Sequence, residues 1–191
     1  MLWLVSDLHL GHSKILSMGT GRPFATIEEM NGTIIQNINQ RVNADDTLYF
    51  LGDWCCGIGP DKLSYIRETR KRIQCATIHM IRGNHDPSVK RLQELVDDRT
   101  LTSVSEMLTV RIPGSKRDMQ LCHYPLEDFE FEGAGNWQIH GHRHSPPATR
   151  KTKNRQRLDI GVDGHDYKPW SLAEIRAEMR SEPWEEKGHH G

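Results

Sequence analysis

The sequence contains no long apolar run, no surplus of either charge, and no cysteine pair at a metal-binding spacing. The opening Met1-Leu2-Trp3-Leu4-Val5 stretch is apolar, but Asp7 ends it far short of a secretory core or a membrane span. With no lipidation pattern either, a cytoplasmic protein with no membrane attachment and no obligate protein partner is expected. The 25 Lys and Arg nearly cancel the 26 Asp and Glu, which argues against a global affinity for polyanions. Hydrophobic residues make up 36%, low for a helical bundle and closer to a loop-rich enzyme. The cysteines are Cys55, Cys56, Cys75 and Cys122; an adjacent pair and no C-x-x-C spacing suit neither a zinc knot nor an ordinary disulfide framework. At this length, residues 1–191 fit one domain with a sizeable core.

Histidine is the residue in excess. There are eleven, several clustered with Asp, Asn and Gly. Their setting follows from the pattern of the chain. Leu2 to Ser6 reads as a buried strand. Thr26-x-x-Glu29 is a capping box opening a helix whose inner face is Ile27, Met30, Ile34, Ile35 and Ile38. Thr47 to Leu51 is a second strand, about Asp61 to Arg72 a helix, and Cys75 to Ile81 a third strand. Pro87-Ser88 opens a helix to about Asp97. The second half is richer in strands: Ser105 to Ile112, Met119 to His123, Trp137 to His140 and Gln156 to Val162. Ser171-x-x-Glu174 is another capping box, with a helix to about Arg180 and a frayed tail over 181–191. Strand–helix alternation followed by strands predicts α/β layers.

The polar clusters fall at strand ends, where open α/β sheets bind ligands. They are Asp7-Leu8-His9, Gly52-Asp53, Gly83-Asn84-His85-Asp86, Cys122-His123-Tyr124 and Gly141-His142-Arg143-His144. Their donors are carboxylate oxygen, imidazole nitrogen and amide oxygen, with no thiolate. That mixture suits Mn, Fe, Zn, Co or Ni rather than calcium or an iron–sulfur cluster. In an extended segment Asp7 and His9 would face one side, as would His142 and His144. Any one cluster alone reads more readily as a solvated loop or a helix cap; five in series do not.

These five clusters resemble the signature of the calcineurin-like metallophosphoesterase superfamily, D-x-H, G-D, G-N-H-D, H and G-H-x-H, and none of its positions is missing between Asp7 and His144. The chain is most similar to the small single-domain bacterial and phage members, which share Ser6-Asp7-Leu8-His9-Leu10-Gly11-His12, Gly21-Arg22-Pro23-Phe24 and Gly161-Val162-Asp163 through Tyr167-Lys168-Pro169. The resemblance implies an α/β/β/α sandwich of two mixed β-sheets flanked by helices. It implies one divalent ion on Asp7, His9 and His144, a second on Asn84, His123 and His142, and Asp53 bridging them, with manganese the leading expectation. Such paired ions, about 3.5–4 Å apart, supply a bridging hydroxide for in-line attack on phosphorus. His85 would then protonate the leaving oxygen, and Asp86 would fix the His85 tautomer or, alternatively, cap the helix at Pro87.

His12 and Arg22 are candidates to contact phosphate at the mouth of the site. Trp54 and His79 are expected in the core or sheet, His140 behind the site, and Arg143 turned away from its neighbours. Six Lys or Arg residues and no acid lie between Arg143 and Arg157, which reads as a solvated hairpin or as a polyanion-binding loop. The expected substrate is a phosphate ester, a nucleotide or nucleic-acid-like diester slightly ahead of a monoester. The competing class is a non-catalytic interaction scaffold on the same fold, as in a retromer subunit; retention of His85 and all seven presumed ligands weighs against it.

Overall fold

The computed structural model describes every residue except 58, 60, 154 and 182–191, so the expected frayed tail lies almost wholly outside the described residues. Two mixed β-sheets face each other. The first has the order β4-β3-β2-β1-β9: β1 (Leu2–Val5), β2 (Thr47–Phe50), β3 (Thr77–Ile81) and β4 (Ser103–Ser105) run parallel, and β9 (Trp170–Ser171) runs antiparallel to β1. The second has the order β5-β6-β7-β8: β5 (Met107–Arg111) is antiparallel to β6 (Asp118–Cys122), while β6, β7 (Trp137–His140) and β8 (Arg157–Asp159) run parallel.

Alternation along the strands builds two cores. Trp3, Val5, Leu48, Phe50, Ile78 and Met80 face α1 (Ile27–Arg41), α2 (Lys62–Arg70) and α3 (Val89–Asp97), meeting Met30, Ile34, Ile38, Ile66, Leu92 and Leu95. Leu4, Leu51 and Ile81 look the other way, onto Met119, Leu121, Ile139, Leu158 and Ile160 of the second sheet, where α4 (Leu172–Arg180) adds Ile175 and Met179. Each fully buried aliphatic side chain contributes about 1.5–3 kcal/mol, so these two layers hold the sheet ends in fixed register.

Both capping boxes start helices. Ser171 Oγ accepts from the Glu174 amide (3.2 Å), and the Glu174 carboxylate accepts from the Ser171 amide (2.8 Å). At α1, Thr26 Oγ1 accepts from Glu29 N (3.1 Å), but the return bond runs from Ala25 N to Glu29 (2.8 Å). The expected strand from Ser105 to Ile112 is in fact two, broken at Glu106, because here the chain leaves the first sheet and enters the second. The expected strand to Val162 stops at Asp159, whose carboxylate takes the amides of Ser145 (3.0 Å) and Gly161 (2.8 Å) and turns the chain into a short 3-10 segment, Val162–Gly164. Among the described residues no helix is long and apolar enough to cross a membrane.

Candidate metal centre

Because β1, β2, β3, β6 and β7 are parallel within their sheets, their C-terminal ends gather along one edge. The chain leaves them as Asp7, Asp53, Asn84, His123 and His142. The five clusters therefore meet, although they span 138 positions of sequence from Asp7 to His144.

The side chains do not meet by strand alternation. Asp7 (φ 61°), His9 (φ 52°), Asp53 (φ 60°), His142 (φ 71°) and His144 (φ 48°) all have left-handed backbones, so the expectation of extended segments is corrected: same-side placement comes from a turn at each residue. For non-glycine residues this costs about 1–2 kcal/mol each, and the loops offset it with hydrogen bonds. The amides of Asp7, His9 and Leu10 donate to the carbonyls of Gly52 (3.0 Å), Asp53 (3.0 Å) and Trp54 (2.9 Å), and the His142 amide donates to the Asp7 carboxylate (3.0 and 3.1 Å). The approach leaves no room for a side chain at Gly141, where a Cβ would run into Ser6 Oγ and the Asp7 carboxylate.

Two groups of donors result, and they share Asp53. In one, Asp7 Oδ1 is 3.9 Å from both His9 Nε2 and His144 Nε2. In the other, Asn84 Oδ1 is 2.9 Å from His123 Nε2 and 2.8 Å from His142 Nδ1. Asp53 Oδ2 lies between them, 3.5 Å from His9 Nε2 and 3.5 Å from His123 Nε2. His9 tests whether a cation fits. Its side chain is only 3% exposed, and neither ring nitrogen has a hydrogen-bond partner. Leaving such a group unsatisfied costs about 1–3 kcal/mol; a cation among these oxygens and nitrogens removes that cost.

The outer partners set which nitrogen faces inward. His123 Nδ1 donates to the Leu51 carbonyl (2.7 Å), leaving Nε2 for the centre. His144 Nδ1 donates to Asp163 Oδ2 (2.7 Å), with the same effect. Asp163 also takes a two-point contact from Arg22, whose Nε and Nη2 are 2.8 and 2.9 Å from its oxygens. Arg22 spends its remaining donors on the carbonyls of Leu8 (2.9 Å) and Asp7 (2.7 Å), and its side chain is fully buried. Arg22 therefore does not reach the mouth of the site, and the expected phosphate contact is corrected: the guanidinium braces the Asp7–His9 turn from behind.

Asp86 is corrected too. Its carboxylate accepts from the amides of Asp53 (2.7 Å), Trp54 (3.0 Å) and Gly83 (2.8 Å), so it clamps two loops together and has no contact with the His85 ring. The helix cap is Ser88, which accepts from Arg91 N (3.4 Å). His85 itself is half-buried at the mouth. Its amide donates to Asp53 Oδ1 (2.8 Å), its carbonyl accepts from Lys62 Nζ, and its Nδ1 faces Cys56 Sγ at 3.3 Å, a neighbour the sequence pattern did not suggest. His12 stays beside it, 6.3 Å from His85 and 5.6 Å from His9 between ring centroids. Trp54 is a core residue donating to Thr69 Oγ1 (2.8 Å), and His79 stacks on Tyr49 in the sheet.

Burial and mutual charge distort the titration of the centre. Burial pushes the Asp7 carboxyl up to about 7, against the pull of His144 and His123. Burial also resists ionisation of Asp53, yet its hydrogen bond to His123 and the neighbouring charges hold it down at about 2. His123 answers: burial disfavours its cation, but Asp53 and Asp7 raise it to about 9. Burial lowers His9 to about 3, so it is a neutral imidazole ready to ligate.

The chain belongs to the calcineurin-like phosphoesterase family, whose model matches residues 1–169. Over 174 aligned residues it is 30% identical to the uncharacterized protein MJ1445 of Methanocaldococcus jannaschii, covering 90% of this chain and 86% of that one. The gene 66 protein of Mycobacterium phage L5 is 29% identical over 187 residues, covering 84% and 86%. The crystal structure of AQ665 from Aquifex aeolicus, a protein of unknown function, superposes with a TM-score of 0.68 over 93% of this chain and 98% of that one, at 23% identity.

Proposed function

We propose that the protein is a dinuclear metal-dependent phosphoesterase that hydrolyses phosphodiesters in preference to monoesters. The supporting observation is the pair of donor groups joined at Asp53 Oδ2, with the unpartnered His9 ring between Asp7 and Asp53. Asp7, His9 and His144 would hold one divalent ion, Asn84, His123 and His142 the other, and Asp53 both, with manganese the expected metal. When bound, the ions would supply an acidified water for attack and positive charge against the phosphoryl oxygens. His85, at the rim, gives a proton to the departing oxygen. His12 lies close enough to His85 to meet a substrate oxygen at the same rim. Asp86 and Arg22 hold the loops, and Asp163 presents Nε2 of His144. Asn84 is exposed and His142 and His144 are half-buried, so the donor set opens to solvent and a bulky ester can approach it.

The test is an assay of metal-loaded protein on bis(p-nitrophenyl) phosphate and p-nitrophenyl phosphate, with Asp53→Asn alongside. The diester should show the higher kcat/KM. Asp53→Asn should lose more than the roughly 10–100-fold typical of disturbing an outer partner of a metal ligand. Absence of turnover on every ester by metal-replete protein rules out the hydrolase; undiminished Asp53→Asn rules out the shared carboxylate.

A further inference from the structure

Arg143 separates two of the metal-site histidines in sequence, and its side chain lines a cavity of about 380 Å³ together with His140, Arg150, Thr152 and Arg157. The basic run between positions 143 and 157 sorts into two kinds of charge here. Arg150 is neutralised, with Nε and Nη2 each 3.1 Å from the Glu178 carboxylate. Arg155, beside the cavity, is held by Glu132 at 2.8 and 2.6 Å. Arg157 has only neutral acceptors, the Leu126 carbonyl (2.6 Å) and Thr152 Oγ1 (3.2 Å). The exposed Arg143 guanidinium has no hydrogen bond or ion pair among the described residues. Glu127, an acid on the wall, is 89% exposed and turned toward Arg155 at 3.5 Å.

Two guanidinium groups thus share a polar cavity, and the two carboxylates that act on Arg157, Glu127 and Glu132, are each paired with Arg155. Their planar forks match the oxygens of a phosphate, and an anion relieves their mutual repulsion. Arg143, on the cavity wall, is joined on either side to His142 and His144, with about 3.8 Å between neighbouring Cα atoms. We propose that this cavity binds a phosphate, namely the one neighbouring the scissile phosphate in a single-stranded, nucleic-acid-like substrate. The choice of a neighbouring phosphate rests on the phosphodiesterase proposal; the anion site rests on the cavity alone.

Anisotropy of a fluorescent ten-residue phosphorothioate oligothymidylate, with the metal-loaded protein and a salt series, tests it. Arg143→Gln alters an exposed side chain, so folding is not at stake. It should weaken binding about tenfold and reduce the salt slope by about 0.7, the contribution of one single-strand phosphate. Arg91→Gln, an exposed arginine on α3, is the charge-matched control and should do neither. Calorimetric titration with inorganic phosphate separates the two sources of the anion. If Arg143→Gln abolishes a phosphate-binding event while oligonucleotide affinity holds, the ligand is free phosphate and the neighbouring-phosphate assignment is overturned. If Arg143→Gln and Arg91→Gln behave alike in both measurements, the cavity is no phosphate site. Neither measurement reads turnover, so an inert protein would sink the hydrolase proposal and the neighbouring-phosphate assignment with it, while the anion site would stand or fall on the binding data.

Discussion

Removing the Asp163 carboxylate should weaken both the fold and its hold on metal. This group accepts from Arg22 at 2.8 and 2.9 Å and from His144 Nδ1 at 2.7 Å, with its side chain 4% exposed. Asp163→Ala leaves a buried guanidinium without its counter-charge, a change that costs about 3–5 kcal/mol. It also frees the His144 ring to rotate, and loss of such an outer partner lowers metal affinity roughly 10–100-fold. Asp163→Asn keeps one acceptor but not the charge, so it should fall between Ala and wild type. Acid gives an independent check. Burial opposes ionisation of Asp163, but His144 and Arg22 hold it at about 2, below the ordinary 3.8. A depressed carboxyl contributes stability that is fully present above its unfolded value and is lost as pH falls from about 4 through about 2. At about 1.36 kcal/mol per unit the contribution is about 2 kcal/mol, smaller than the truncation cost because a protonated acid still fills the space and accepts a hydrogen bond. Urea unfolding at neutral and acid pH, with calorimetric metal titration, measures both effects. A wild-type midpoint together with wild-type metal affinity in Asp163→Ala would refute the reasoning.

Metal uptake should release protons: at pH 7 about one from His123, raised to about 9, and about half of one from Asp7, raised to about 7. Affinity should therefore climb with pH between roughly 6 and 9, and calorimetry in buffers of different ionisation enthalpy counts the protons; zero release at pH 7 would contradict the site's electrostatics. His85→Ala should cut kcat about 10²–10⁴-fold at unchanged metal content, measured by elemental analysis, and loss of metal instead would make His85 a ligand. Gly141→Ala should displace Asp7 from the centre and lose metal binding, whereas a normal metal titration would mean the loop tolerates a side chain there.

The candidate metal ligands were legible in the sequence because each sits in a short motif directly after an apolar strand, and a strand end is a local property. Their backbone conformation was not. Period-two alternation and a left-handed turn both place Asp7 and His9 on one side, and only the folded backbone distinguishes them. Arg22 and Asp163 were visible as parts of stretches shared with the small phosphoesterases, but 141 positions separate them and no local pattern shows that they pair. Asp86 misled for a related reason. Its partners are backbone amides of Asp53, Trp54 and Gly83, and amides carry no sequence signal. The break at Glu106 was hidden because both halves of that segment are strands; what changes is the sheet to which each half belongs.

The shared carboxylate of Asp53 is best tested by electron paramagnetic resonance of the protein titrated with Mn²⁺. Two ions bridged by one oxygen group should give an exchange-coupled spectrum that saturates at two manganese per chain and is lost in Asp53→Asn. Saturation at one ion, or two ions with uncoupled spectra, would contradict a centre built around Asp53.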